Sequence, residues 1–201
     1  ISVGNLVNNE LLNIRDIIKK KYHLSYPQIF NYKNNFLMSF ESWQNNNCTL
    51  LKSTKFPYKW KKYKTFLKGY NAADPTFYND GDNLWLFVNL SQGMMLDHDS
   101  ELYIFLIKKN FDYLIPHKCN PVITDSRVAR NAGQIFTFQN KIIRPSQINI
   151  HDKYGFGLNL REIKKLNIDE YEETTYKSFT FNKNSKFNGI HHISKSKNGF
   201  V

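Results

Sequence analysis

A hairpin-like segment that recurs three times constrains this chain more than any other feature. Pro27-Gln28-Ile29-Phe30-Asn31-Tyr32-Lys33-Asn34-Asn35-Phe36-Leu37, Pro75-Thr76-Phe77-Tyr78-Asn79-Asp80-Gly81-Asp82-Asn83-Leu84-Trp85 and Gly133-Gln134-Ile135-Phe136-Thr137-Phe138-Gln139-Asn140-Lys141-Ile142-Ile143 match in kind at most positions. Each joins two aromatic or aliphatic runs through a short polar turn, the pattern of two antiparallel strands. After each hairpin there is room for two more strands, at Cys48–Ser53 and Tyr63–Leu67 in the first copy. The second continues through Glu101–Lys108 and the region from Pro116 to Ile123, the third through Gly155–Leu160 and Ile163–Tyr171. A fourth cycle is expected to open at Lys177–Phe181 and run into Ile190–Ser194.

Four-stranded units recurring every 40 to 50 residues or so are the mark of β-propeller blades. A sandwich gives no reason for the recurrence, and a β-helix repeat is shorter. The expectation is an all-β propeller over residues 22–201, with about four blades starting near residues 25, 73, 132 and 177. The segments beginning at Ser25, Ala73 and Ala132 then form inner strands that converge on a central channel. Residues 1–21 read as a connecting segment or the remnant of a preceding blade; their apolar spacing is also compatible with a short helix.

Composition narrows the function classes. Aromatic residues make up 15% of the chain, which favours strands. No apolar run reaches the roughly 18 to 20 residues that span a bilayer as a helix, so no membrane span is expected. The formal charge of +11 is scattered along the chain, with one dense cluster at Lys59, Lys61, Lys62 and Lys64. Scattered lysines make a solvated surface, and nucleic acid is not expected as a partner. Cys48 and Cys119 form neither a disulfide framework nor a zinc pattern, which points to a reducing, cytoplasmic setting and no metal. GxSxG, Walker-type, GxGxxG and HExxH motifs are absent, and no cofactor is expected. The chain begins at Ile1 and stops at Val201 inside an apolar run, so it reads as a piece of a longer protein.

Several side chains are candidates for chemistry. Asp74 heads a repeat directly before Pro75, which favours an extended backbone; it either contacts sugar hydroxyls or caps the strand. Glu41 ends a strand in the neighbouring blade and is the best available partner carboxylate, unless it is a surface residue. Asp125, Arg127, Arg130 and Arg144 form a charged constellation. Their arginine forks suit a phosphate or carboxylate, or else tie blades together through Asp125, with Gln147 a polar channel contact. His23, Tyr26 and His191 are further candidate contacts; strand alternation would send His191 and His192 to opposite faces. Trp43, Trp60 and Trp85 either stack on sugar rings or pack between blades.

One ordered set of motifs carries a resemblance. His23-Leu24-Ser25-Tyr26-Pro27, Phe40-Glu41-Ser42, Asp74-Pro75-Thr76-Phe77, Trp85-Leu86-Phe87, Arg130-Asn131-Ala132-Gly133, Arg144-Pro145-Ser146-Gln147, Tyr154-Gly155 and Gly189-Ile190-His191-His192 follow one another in that order. Together they resemble the N-terminal domain of glucosamine inositolphosphorylceramide transferases, a domain that also occurs beside bacterial sugar formyltransferase-like domains. The resemblance implies a five-bladed propeller of the furanosidase and fructan-hydrolase kind, with the first blade largely missing here. It implies a carbohydrate-active domain in a glycosyl- or formyl-transfer system, covalently linked to a transferase domain. The ligand would be a sugar, nucleotide-sugar or glycan acceptor at the channel mouth, and Asp74 and Glu41 the catalytic candidates. Two alternatives stand beside it. One is a glycoside hydrolase with Glu41 as acid and Asp74 as support, whose remaining carboxylate would lie in the missing blade; the other is a non-catalytic interaction propeller.

Overall fold

A computed structural model describes residues 1–8, 10–91, 97–108, 111–150, 153–180, 189–196 and 199–200. It is all-β, built on three antiparallel sheets whose strands follow chain order. The first contains β3 (Ser25–Tyr32), β4 (Asn35–Glu41), β5 (Cys48–Lys55) and β6 (Lys59–Phe66). The second contains β7 (Asn71–Asn79), β8 (Leu84–Ser91), β9 (Glu101–Lys108) and β10 (Tyr113–Pro116), with β11 (Ile123–Thr124) also on β9. The third contains β12 (Phe136–Phe138), β13 (Lys141–Ile150), β14 (Lys153–Leu166) and β15 (Tyr171–Thr180). These are propeller blades; among the described residues they do not close into a ring.

The three repeat hairpins are where the sequence puts them. Two use the same two-residue turn, Lys33-Asn34 (φ 48° and 59°) and Gln139-Asn140 (φ 48° and 60°). Left-handed residues at both turn positions match the twist of the flanking strands. The middle hairpin has a longer turn, in which the Asp80 carboxylate accepts from the Asp82 and Asn83 amides and from Trp85 Nε1.

The middle blade explains the near-continuous apolar run of β8. Leu84, Leu86, Val88 and Leu90 pack with Leu37, Leu50 and Phe66 of the first blade. Trp85 and Phe87 point the other way, onto Ala129, Ile135 and Ile163. A strand buried on both faces needs no polar alternation. Trp85 is therefore packing between blades.

Two elements differ from expectation. The described residues of 1–16 contain no helix: β1 (Ser2–Val7) pairs with β2 (Glu10–Asp16) as a separate hairpin exposing Leu6, Leu11 and Ile14. The apolar series Leu6, Leu11, Leu12, Ile14, Ile17 and Ile18 satisfies a helical and a strand period equally. The second concerns Lys177, which opens no new blade. It lies inside β15, the outer strand of the third blade, opposite Leu160. β14 runs unbroken to Leu166, through what the sequence divides into two strands, so the outer strand falls later. Phe181 lies outside the described residues. Gly189–Ser194 joins no strand, and β16 (Lys195–Ser196) pairs only with β17 (Gly199–Phe200).

Candidate functional site

The heads of the inner strands share one device. The β3–β4 ladder skips between Ser25 and Gln28, and the β7–β8 ladder skips between Ala73 and Thr76. Each skip is a bulge holding a left-handed residue followed by proline: Tyr26 (φ 50°) before Pro27 and Asp74 (φ 48°) before Pro75. Proline removes the ladder donor at that position, and a bulge re-aims side chains. The extended backbone expected of Asp74 is thus replaced by a strained one, at a cost on the order of 1–3 kcal/mol per residue. Such strain persists only where surrounding contacts over-determine it.

Those contacts join the blades. Gly133 N–H donates to the Tyr26 hydroxyl (2.7 Å), and Thr76 Oγ1 donates to Asp74 C=O, so the Tyr26 hydroxyl donates to Thr76 Oγ1 (2.9 Å). Asn131 Nδ2 reaches Asp74 C=O at 3.0 Å. Gly133 has φ 135° and sits where a Cβ would lie 2.0 Å from Ile193 C=O, so no larger residue fits there.

At this convergence sits a cavity of about 500 Å³, lined by His23, Tyr26, Glu41, Asp74, Arg130, Tyr154, His191 and His192 among others. Its floor is charged. Arg130 Nε donates to Asp74 Oδ2 at 2.7 Å and Nη1 to Asp99 Oδ1 at 2.8 Å, while Nη2 lies 3.9 Å from Glu41 Oε2. The Asp74 amide donates to Glu41 Oε2 at 3.2 Å, which sets the two acids side by side. Asp74 is 3% exposed. Burial pushes its carboxyl up to about 7, with Glu41 adding to the rise and Arg130 opposing it. Desolvation works against the Arg130 charge, but Asp74 and Asp99 hold it firmly protonated. The rim is made of rings: Tyr154 under the Arg130 guanidinium (5.0 Å), His191 against Tyr154 (5.3 Å) and His192 edge-on to Tyr26 (5.3 Å). Burial, then His191, lowers the pKa of His192, which leaves that ring neutral at pH 7.

The raised Asp74 carboxyl has a consequence for stability. Between about pH 4, where a free aspartate titrates, and about pH 7, the folded protein holds a proton that the unfolded chain releases. Stability therefore falls as pH rises through that window. In Asp74→Asn this contribution is gone, and the drop in urea midpoint from pH 4.5 to pH 7.5 should be smaller than in the parent. Equal drops would contradict the assignment.

The structure brings Glu41, Asp74, Arg130, Tyr26, His23 and His191 to one cavity, and it corrects four expectations. Arg144 is no channel contact. It is fully buried, and its N–H groups go to both Glu173 oxygens (2.8 and 2.7 Å), Val128 C=O, Ala129 C=O and Asn131 Oδ1. Five donors are all used, so none is left for a ligand. Asp125 pairs with neither Arg130 nor Arg144; its carboxylate takes a two-pronged contact from exposed Arg127, away from the cavity. Gln147 is 1% exposed and lies behind Asp74, donating to Asn131 C=O at 3.0 Å and toward Asp74 Oδ2 at 3.5 Å. The separation expected of His191 and His192 also fails, because Gly189–Ser194 is not a strand and both rings line the cavity.

Sequence reasoning missed Asp99, which holds Arg130 and accepts from Asn149, and it missed Glu173. No motif surrounds either. Tyr154 and His192 had a signal, since both stand in motifs of the resemblance.

The fold is shared with carbohydrate-processing enzymes. A GH43 β-1,3-galactosidase superimposes with a TM-score of 0.59 at 14% identity, covering 90% of this chain and 38% of the galactosidase. The β-fructofuranosidase of Schwanniomyces occidentalis, solved with fructosyl-erythritol, gives 0.56 at 11% identity over 81% of this chain and 35% of its own. This is a propeller-like domain of the kind on which those enzymes are built. By sequence the chain belongs to the family described as "Glucosamine inositolphosphorylceramide transferase 1, N-terminal", which matches residues 7–197. Over 158 residues it is 30% identical to glucosamine inositolphosphorylceramide transferase 1 of Oryza sativa subsp. japonica and 28% identical to that of Arabidopsis thaliana. These matches cover 78% of this chain but only 21% and 20% of the relatives, so the chain spans about a fifth of their length. Among the described residues no helix is long and apolar enough to cross a membrane.

Proposed function

We propose that the cavity binds a carbohydrate, either the sugar of a nucleotide-sugar or a glycan acceptor, on behalf of a transferase domain in the same polypeptide. One observation carries this reading: a buried Asp74–Glu41–Arg130 cluster opens into a 500 Å³ cavity rimmed by Tyr154, His191 and His192. Carboxyl oxygens and a guanidinium edge match the paired donors and acceptors of vicinal hydroxyls, and aromatic rings cover the apolar face of a pyranose. A few fixed polar groups among rings in a concave site is how small-molecule sites gain orientation and specificity. The family and the much longer relatives support the link to a transferase.

The hydrolytic reading is favoured by one feature, the raised Asp74 carboxyl. Against it, glycoside hydrolysis needs two carboxyls about 5 Å or about 6.5–9.5 Å apart on either side of the bond. Here the Asp74 amide donates to Glu41 Oε2 and Arg130 stands against both carboxyls, so the two acids form one cluster on the cavity floor rather than a flanking pair.

Calorimetric titration with nucleotide-sugars and neutral oligosaccharides tests the proposal. At least one should bind to the parent, and Asp74→Asn should bind it at least 10-fold more weakly. Absence of binding across the panel, or equal affinity in the variant, would defeat it.

A further inference from the structure

One lysine of the Lys59–Lys64 cluster, Lys62, lines a second cleft that the channel site leaves unused. β5 and β6 are out of step between Leu50 and Leu51, so that Leu51 faces Lys62 in the ladder. Lys62 thereby joins Trp60, Thr49 and Leu51 along one side of a cleft of about 540 Å³. Lys19, Lys20 and Tyr22, from the segment that follows β2, line the same cleft. Of the Lys59–Lys64 cluster, Lys64 is tied to Asp112, which lies between β9 and β10 of the second blade. Among the described residues no ion pair engages Lys19, Lys20 or Lys62, and no Asp or Glu lines the cleft. The Trp60 ring is held in place by its Nε1 donating to Pro57 C=O at 2.7 Å. Asn47 and Thr49 are bonded to each other at the cleft wall.

Three lysines line the cleft and no Asp or Glu does, Asp16 standing beside Lys19 and Lys20 only in the adjoining cavity; this raises the local potential, and a lysine serves a phosphate as a mobile point charge. Two rings and an aliphatic floor beside them give an organic group something to lie against. We infer that this cleft binds a phosphate ester, with the phosphate among Lys19, Lys20 and Lys62 and the organic moiety against Trp60 and Tyr22. The inference is independent of the channel-mouth reading, since no residue is common to the two cavities.

The test is calorimetry at low salt with inorganic phosphate and glucose 6-phosphate, beside co-sedimentation with vesicles containing 30% phosphatidylglycerol. The parent should bind at least one of these probes. The variant carrying Lys19→Ala, Lys20→Ala and Lys62→Ala should bind at least 10-fold more weakly, and raising the salt should weaken the parent. Binding of the soluble phosphates points to a free ester, and binding of vesicles alone to a lipid headgroup; both support the site. A control with Lys108, Lys165 and Lys177 changed to Ala, on other sheets, removes equal charge and should bind like the parent. The inference is overturned if no probe binds, if the cleft variant binds as well as the parent, or if the control loses as much.

Discussion

Glu173→Ala should destabilise the protein by about 3–5 kcal/mol, the range for removing one partner of a buried ion pair. Glu173 has a side chain 3% exposed and receives Arg144, at 0%, through both of its oxygens. Arg161 Nε and the Tyr171 hydroxyl converge on the same carboxylate. Without it the Arg144 guanidinium stays in the interior with only neutral acceptors, and Arg161 loses its partner as well. The cost arises from the stranded charge more than from the lost attraction. The double variant Arg144→Met with Glu173→Leu, which removes both charges, should therefore recover much of the loss. Urea unfolding of the parent, single and double variants measures it. A single variant within 1 kcal/mol of the parent would mean that this network does not hold the third blade.

Arg130→Met should abolish ligand binding in the channel cavity, by 100-fold or more. Among the described residues Arg130 is the one cation paired with Asp74, Glu41 and Asp99, and it fixes the Asp74 carboxylate at 2.7 Å. Its loss raises the Asp74 carboxyl further, because the attraction opposing burial is gone and Glu41 remains. The pH window over which stability falls should then extend above that of the parent. Arg130→Lys should not restore binding, since one ammonium cannot hold two carboxylates in the directions that a planar fork does. Calorimetry gives the first outcome, and urea midpoints from pH 4.5 to pH 8.5 give the second.

How much of this was legible in the sequence follows from what kind of interaction fixes each part. The repeat hairpins were legible because their turns are local: Lys33-Asn34 and Gln139-Asn140 need left-handed residues whatever packs around them. The middle blade was legible because β8 is apolar on both faces. Arg144 misled, because an arginine in a polar motif looks the same whether it faces a channel or a carboxylate 29 residues later in the chain. Asp99 was invisible for the same reason: its role comes from Arg130 and Asn149, on other segments of the chain. The bulges that turn Tyr26 and Asp74 inward were half legible, since both precede a proline. The proline alone argues for an extended backbone, and only the ladder register reveals the positive φ.

The channel-mouth reading is tested most directly by locating the ligand. Side-chain ring resonances of Tyr26, Tyr154, His191 and His192, followed by NMR through a titration with whichever sugar or nucleotide-sugar binds in calorimetry, report on the rim of the cavity and nothing else. The account predicts that these four rings shift together, with one saturation curve that disappears in Arg130→Met. Binding that leaves all four unmoved, or that persists unchanged in Arg130→Met, would contradict it.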